Sequence, residues 1–288
     1  MKARKIYQFS WSNHTLELGR RTCIMGVVNV TPDSFSDGGS FFDSDAAVAQ
    51  GEKLAAQGAA ILDIGGESTR PFSDPVPADE EIRRVVPVIE KLSRRISIPI
   101  SIDTTKAQVA RQALEAGASI INDVAALRFD PELAAVAVEF DTPVILMHML
   151  GNPKSMQVKP RYANLIQEVR DFLAEAVKRA VRQGISPSKI IVDPGIGFGK
   201  TIEHNLILIK HLRAFSSIGV PILIGASRKA FIRQILKDRH DKDLQPDLPI
   251  IETGSRAAVA AAIFNGAHIV RVHEVAGTLA TVKIVDAI

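Results

Sequence analysis

Cysteine is nearly absent from this chain. Cys23 is the one thiol in 288 residues, so no internal disulfide can form and the fold must hold by packing, as suits a reducing cytosol. Aromatic residues are scarce as well, 5% with a single Trp, which leaves the core to aliphatic side chains. Long apolar runs are missing. Stretches such as 96–102 and 143–149 fall far short of the ~20 residues that a membrane span requires. No basic segment followed by an apolar one opens the chain, so no signal peptide is expected and a cytoplasmic location is. An excess of one charge is missing too. Lys and Arg number 35 against 32 Asp and Glu, a formal +3, and basic residues do not gather as a nucleic-acid face would demand. Membrane and nucleic acid are therefore set aside as partners, and a small-molecule substrate is expected.

What is present is a 46% apolar, 23% charged composition, enough for one sizeable core and incompatible with disorder. Residues 5–19 read as a β-hairpin, 5–10 and 15–19 flanking Ser12-Asn13-His14. Beyond it, short β-branched runs alternate with longer helical patterns, the signature of a parallel sheet. Strands are expected at 24–30, 61–65, 99–103, 119–123, 143–148, 190–193, 221–225 and 268–273. Helices are expected at 45–57, 79–95, 106–116, 164–183 and 203–215. The strands are almost continuously apolar, as when both faces are covered. Gly58-Ala59-Ala60-Ile61, Gly117-Ala118-Ser119-Ile120 and Gly266-Ala267-His268-Ile269 repeat one plan, a helix-ending glycine followed by a buried strand.

Nearly every strand ends on a polar side chain: Asn29, Asp63, Asp103, Asn122, His148, Asp193, Ser227, Arg271 and His273. Some of these can serve merely to cap loops, but so many polar groups in buried positions need partners. In a closed (β/α)8 barrel all carboxyl ends converge on one mouth, whereas a doubly wound sheet gathers ligand groups at one switch point. The expected fold is an α/β (β/α)8 TIM barrel with an N-terminal β-hairpin. It forms one domain over residues 1–288, with the hairpin segment at 1–22 and a solvated surface loop at 237–249.

Five segments bear on the chemistry. The loop 29–39 combines Asn29 and Asp33, hard oxygen donors of the kind Mg²⁺ takes when it also holds substrate phosphates; an Asx turn is the plainer alternative. Residues 64–71 place Gly65 and Gly66 before Arg70, a group suited to anionic or planar partners. Residues 193–201 end in Gly-Lys-Thr, but Pro194 stands where a P-loop needs its first glycine, so nucleotide binding is not expected. Ser227-Arg228-Lys229 leads from strand to helix with Ser227 as the expected N-cap and an anion site after it. Period 2 sends Arg271 and His273 to one side, beside Asn29, as a phosphate pocket would need; a structural His–carboxylate pair is the plainer alternative.

Taken in order over 24–274, these pieces resemble the dihydropteroate synthases, the pterin-binding barrels of folate biosynthesis. The matching segments are 29–39, 63–71, 101–104, 121–123, 193–200, 227–229 and 271–273. The resemblance implies condensation of 6-hydroxymethyl-7,8-dihydropterin diphosphate with 4-aminobenzoate, by dissociative loss of diphosphate, in a homodimer using Mg²⁺ held through Asn29. It implies catalytic roles for Asp103, Lys229 and Asp33, and pterin contacts from Asp103, Asn122, Met147, Asp193 and Lys229. Diphosphate falls to Asn29, Thr69, Arg271 and His273, and aminobenzoate to Phe35, Arg70, Pro71, Phe198, Ser227 and Ala230. Ala230 stands where the family often has a hydroxyl or basic residue, leaving only a backbone amide to meet a carboxylate there, and Glu274 stands where Asp is usual. Two alternatives share the barrel: a methyltetrahydrofolate–corrinoid methyltransferase, which has no diphosphate to anchor, and a non-catalytic pterin-binding homologue.

Overall fold

The alternation of the sequence becomes a closed cylinder with a plug at one end. In a computed structural model describing residues 4–31, 44–68, 73–238 and 243–288, the plug is the hairpin of β1 (Tyr7–Trp11) and β2 (His14–Leu18). Trp11 pairs with His14, so the turn is Ser12-Asn13 alone, and Ser12 takes φ +45° to close it. The eight parallel strands follow: β3 (Cys23–Asn29), β4 (Ile61–Gly65), β5 (Ile100–Asp103), β6 (Ile120–Asp123), β7 (Val144–Met147), β8 (Ile190–Asp193), β9 (Leu223–Ile224) and β10 (Ile269–Val272). They run in the order β8-β7-β6-β5-β4-β3-β10-β9. A parallel bridge between Val192 and Ile222 returns β9 to β8 and closes the barrel.

The helices are α1 (Ser44–Ala56), α2 (Ala78–Ser93), α3 (Ala107–Glu115), α4 (Leu133–Glu139), α5 (Leu165–Arg182), α6 (Ile202–Lys210), α7 (Ala230–Leu236), α8 (Pro249–Phe264) and α9 (Val275–Ala287). Regular helix stops at Lys210 rather than running to 215. The chain tightens there into a 3₁₀ segment, Leu212–Ile218, that drops Leu212 and Phe215 into the core and ends at Gly219 with φ +87°. The 237–249 stretch is not wholly solvated. Arg233 holds Asp243 at 2.9 Å, Leu244 packs on the core, and Pro249 already begins α8.

Strand parity sorts the barrel into layers. Outward residues such as Ile24, Leu62, Ile64, Ile102, Val144, Val192 and Val270 pack against the helices in the main core. Inward residues of the lower barrel, Met25, Ile61, Ile120, Ile145, Ile191, Leu223 and Ile269, form a second cluster with Phe9, Trp11 and Leu18 of the hairpin. The hairpin thus seals the amino-terminal end with apolar side chains. Two residues further along, the next inward positions are Val27 on β3 and then Asp63, Asn122, Met147, Asp193, Gly225 and Arg271, with Asp103 above Ser101 on β5. The lumen therefore turns from aliphatic to polar within one step of the pleat.

Leu18 is fully buried in this plug, and its truncation leaves a cavity that rigid strands cannot collapse around. Leu18→Ala should cost about 2–5 kcal/mol, read as a lower urea midpoint. An unchanged midpoint would show that the hairpin lies outside the cooperative core.

Candidate active site

A buried carboxylate needs a partner, and at the mouth one guanidinium serves two of them. Arg271, on β10, donates from Nε to Asp63 Oδ2 at 2.6 Å and from Nη2 to Asp103 Oδ2 at 2.8 Å. Asn122 Nδ2 donates to the same Asp63 oxygen at 3.1 Å. Asp63 Oδ1 and Asp103 Oδ1 are buried with no hydrogen-bond partner among the described residues. Burial pushes the Asp103 carboxyl up to about 7, with the neighbouring Asp63 charge adding to the rise and Arg271 opposing it. Gly65 lies level with Asp103 on one side and Asn29 on the other, and a Cβ there would meet the Asp103 side chain at 3.5 Å. The strand thereby leaves room beside the carboxylate. A cavity of about 460 Å³ opens from Asp103 between Thr104, Lys106, Glu81, Phe129 and Asn152.

Opposite stands Asp193 at the end of β8. Its Oδ1 accepts the Gly195 amide at 2.7 Å, and burial raises its carboxyl to about 6 against that hydrogen bond. The turn after it uses glycine because nothing else fits. Gly195 has φ +73°, and a Cβ on it would fall 2.0 Å from the His148 carbonyl. Side chains then clamp three successive carbonyls. Gln157 donates to Gly197 O at 2.6 Å, Lys200 to Phe198 O at 2.9 Å, and Tyr162 to Gly199 O at 2.8 Å. Phe198 joins Val124, Met147, Met149 and Met156 in a small apolar cluster, a wall suited to a flat ring. The Lys229 ammonium stands 4.1 Å above the Phe198 ring, a cation–π contact.

Parity overturns one expectation. Met147 faces the lumen, so His148 faces away, stacking edge-on against Phe172 and taking Lys200 Nζ at 2.9 Å on Nδ1. Burial, then the Lys200 charge, lower the His148 pKa far enough to keep the ring neutral. Burial likewise lowers Lys200 to about 7, against the pull of Asp193. Lys200, read from the sequence only as part of a failed P-loop, is a buried support of the turn.

Ser227 is not a helix cap. Helix α7 starts three residues later with Lys229 at its N-cap, and Ser227 Oγ instead meets His273 Nδ1 at 3.0 Å. The anion site expected after a Ser227 cap therefore has no helix behind it. Arg228 turns out of the mouth to Glu252, and Ala230 is exposed at the first residue of α7. Arg271 lies deeper than a purely anion-facing group, since two of its donors are committed to carboxylates. The structure brings together Asp103, Asn122, Met147, Asp193, Phe198, Lys229 and Arg271, with Asn29, Ser227 and His273 at strand ends on the same rim. Asp33, Phe35, Thr69, Arg70 and Pro71 lie outside the described residues. Asp63 was legible as a strand-end polar group but carried no role; its place two residues above Ile61, which packs on the plug, was the signal. Among the described residues no three His, Cys, Asp or Glu side chains are arranged to hold a metal. Asn29 offers one amide oxygen, which fits only a cation that a ligand's own oxygens help to bind.

Residues 25–273 match the family described as pterin binding enzyme. Dihydropteroate synthase of Synechocystis is 46% identical, the alignment covering 94% of this chain and 91% of that protein. A structure of Xanthomonas albilineans dihydropteroate synthase with 4-aminobenzoic acid superposes with a TM-score of 0.89 at 42% identity, covering 98% of each chain. One of the Xanthomonas enzyme with 7,8-dihydropteroate gives 0.85 at 40% identity, covering 97% of this chain and 98% of the other.

The shared guanidinium makes a titration testable. Asp63→Asn removes a like charge beside Asp103, so the Asp103 pKa, about 7 in the parent, should fall when followed by ¹³C NMR of the carboxyl carbon. A rise, or no movement, would show that the two carboxylates do not interact through this site.

Proposed function

The chain belongs to the pterin-binding enzyme family, and on that premise we propose that it is a dihydropteroate synthase. It condenses 6-hydroxymethyl-7,8-dihydropterin diphosphate with 4-aminobenzoate to give 7,8-dihydropteroate and diphosphate, in folate biosynthesis. The observation that carries the reading is one lumen holding Asp103, Asn122 and Asp193 beneath the rim of Asn29, Ser227 and His273. Inside it three carboxylates, Asp63, Asp103 and Asp193, face two cations, Arg271 and Lys229.

A pterin presents a row of ring N–H donors beside an acceptor. The raised pKa values of Asp193 and Asp103 record how poorly solvent serves those carboxylates, so ring donors gain charge-assisted bonds there. Asn122 matches the remaining donor–acceptor edge, Lys229 gives its proton-rich head to the ring acceptor, and Met147 and Phe198 cover the ring faces. Departure of diphosphate breaks the methylene C–O bond and leaves positive charge on the pterin. The surplus carboxylate, with Asp103 carrying one of the two unpartnered oxygens, stabilises that charge electrostatically. The arylamine nitrogen of 4-aminobenzoate then forms the C–N bond and releases its proton. His273 and Asn29 at the rim receive the diphosphate. Mg²⁺, held by Asn29 and the diphosphate oxygens, would neutralise the leaving group's charge. Asp33 as a catalytic group, Thr69 as a contact to the leaving group, and Phe35, Arg70, Pro71, Ser227 and Ala230 as contacts to the aminobenzoate complete the reading. Assembly as a homodimer belongs to it as well, supported by Ile202, Leu206, Ile235 and Ile250, exposed on α6 to α8.

Diphosphate release from the pterin diphosphate separates this reading from its competitors. Release that yields dihydropteroate with 4-aminobenzoate and needs no cobalamin is expected. A cobalamin requirement would mark a methyltransferase, and pterin binding without any release a non-catalytic module.

Asp193→Ala should weaken pterin binding by about 1.5–3 kcal/mol, the worth of a hydrogen bond to a charged group, measured by calorimetry. In the parent, Asp193 is ionised only above about 6, so pterin affinity should decline as pH falls through that value. Affinity that is unchanged in the variant, or flat between pH 5 and 7 in the parent, would take Asp193 out of the ring site.

A further inference from the structure

We propose that Glu252, on α8, is a positioning residue that sets Lys229 and Ser227 in the site by clamping Arg228, the strained residue between them. Arg228 has φ +58°, in the left-handed region that side chains with a Cβ adopt at a cost. Such strain persists only where the surroundings over-determine it. Here the chain leaves β9 and turns into α7, so this one torsion fixes the direction in which Lys229 departs. On one side Ser227 reaches His273, and on the other Lys229 covers the Phe198 ring.

Arg228 is held entirely from the helices outside the barrel. Its amide donates to Ser255 Oγ at 3.0 Å, its carbonyl accepts from Arg233 Nη1 at 3.1 Å, and its Nε donates to Glu252 Oε1 at 2.5 Å. Glu252 and Ser255 sit three residues apart on α8, hence on one face, and are 9% and 3% exposed. Ser255 is itself fixed by donating to Ile251 O at 2.8 Å. A carboxylate buried on an outer helix, with a guanidinium turned away from the mouth as its partner, has no part in the chemistry proposed above. Its evident work is to offset the cost of the left-handed turn.

The inference rests on Lys229 and Ser227 serving the synthase reaction, and its test separates the two readings. The intact chain is assayed with pterin diphosphate and 4-aminobenzoate. Glu252→Ala and Arg228→Ala should each lower kcat/KM for the pterin diphosphate about tenfold, since the clamp is lost while the strain stays. Glu252→Gln, which keeps an oxygen for Arg228 Nε, should recover much of that loss. Arg228→Gly should stay within about threefold of the parent, because glycine takes positive φ freely, and adding Glu252→Ala to it should cost nothing more. Equal losses in Arg228→Ala and Arg228→Gly would overturn the proposal, as would a Glu252→Ala penalty that persists in the glycine background. If Glu252→Ala fails to fold, the Ala-versus-Gly comparison at 228 decides alone. A parent chain without synthase activity sinks the functional reading instead. The ring-current shift of the Lys229 side chain over Phe198, read by NMR, must then follow the same order, kept in Arg228→Gly and lost in Arg228→Ala.

Discussion

Arg271 is the interaction on which the mouth depends. Two carboxylates brought together in a lumen cannot both stay ionised without a shared counter-charge. The guanidinium's planar fork lets one side chain serve both. Replacing it with a point charge would leave one carboxylate unpaired, a loss of several kcal/mol for a buried ion. Arg271 reaches one oxygen of each carboxylate, so each keeps one oxygen unserved among the described residues. The pair is thus satisfied enough to fold and unsatisfied enough to want a ligand. The same geometry that neutralises the lumen gives it its appetite for N–H donors and for developing positive charge.

Around that pair the support is built in layers. The glycine turn after β8 is tied through three carbonyls by Gln157, Lys200 and Tyr162, so Asp193 and Phe198 are held by residues that never face the lumen. The segment after β9 is tied by Glu252, Ser255 and Arg233. Site side chains come from strand ends, and their aim is set by side chains of the surrounding loops and outer helices. Such placement matters because a misplacement of about 1 Å can cost a hundredfold in rate.

Much of this was legible in the sequence. All eight strands lie within two residues of where β-branched runs and flanking glycines put them, since a strand buried on both faces has little else it can be. The polar strand ends were legible as a set. Their sorting was not, because it needs strand parity counted from a known inward residue: Met147 inward excludes His148, and Ile61 inward admits Asp63. Ser227 misled because Ser before a helix is so often a cap, while here a left-handed residue intervenes and the helix starts later. Lys200 hid inside a motif that fails as a P-loop, and its distant partner is His148, 52 residues away in the chain. Glu252 carries no motif at all; only the contact with Arg228 reveals it.

The hairpin has one more consequence. With Phe9, Trp11 and Leu18 stoppering the floor of the cylinder, that end is shut among the described residues. Whatever lies against Asp193 and Asn122 is at the bottom of a blind well, and whatever meets His273 stands nearer the threshold. Anything that reaches the two inner groups must therefore pass the strand-end rim both on its way in and on its way out.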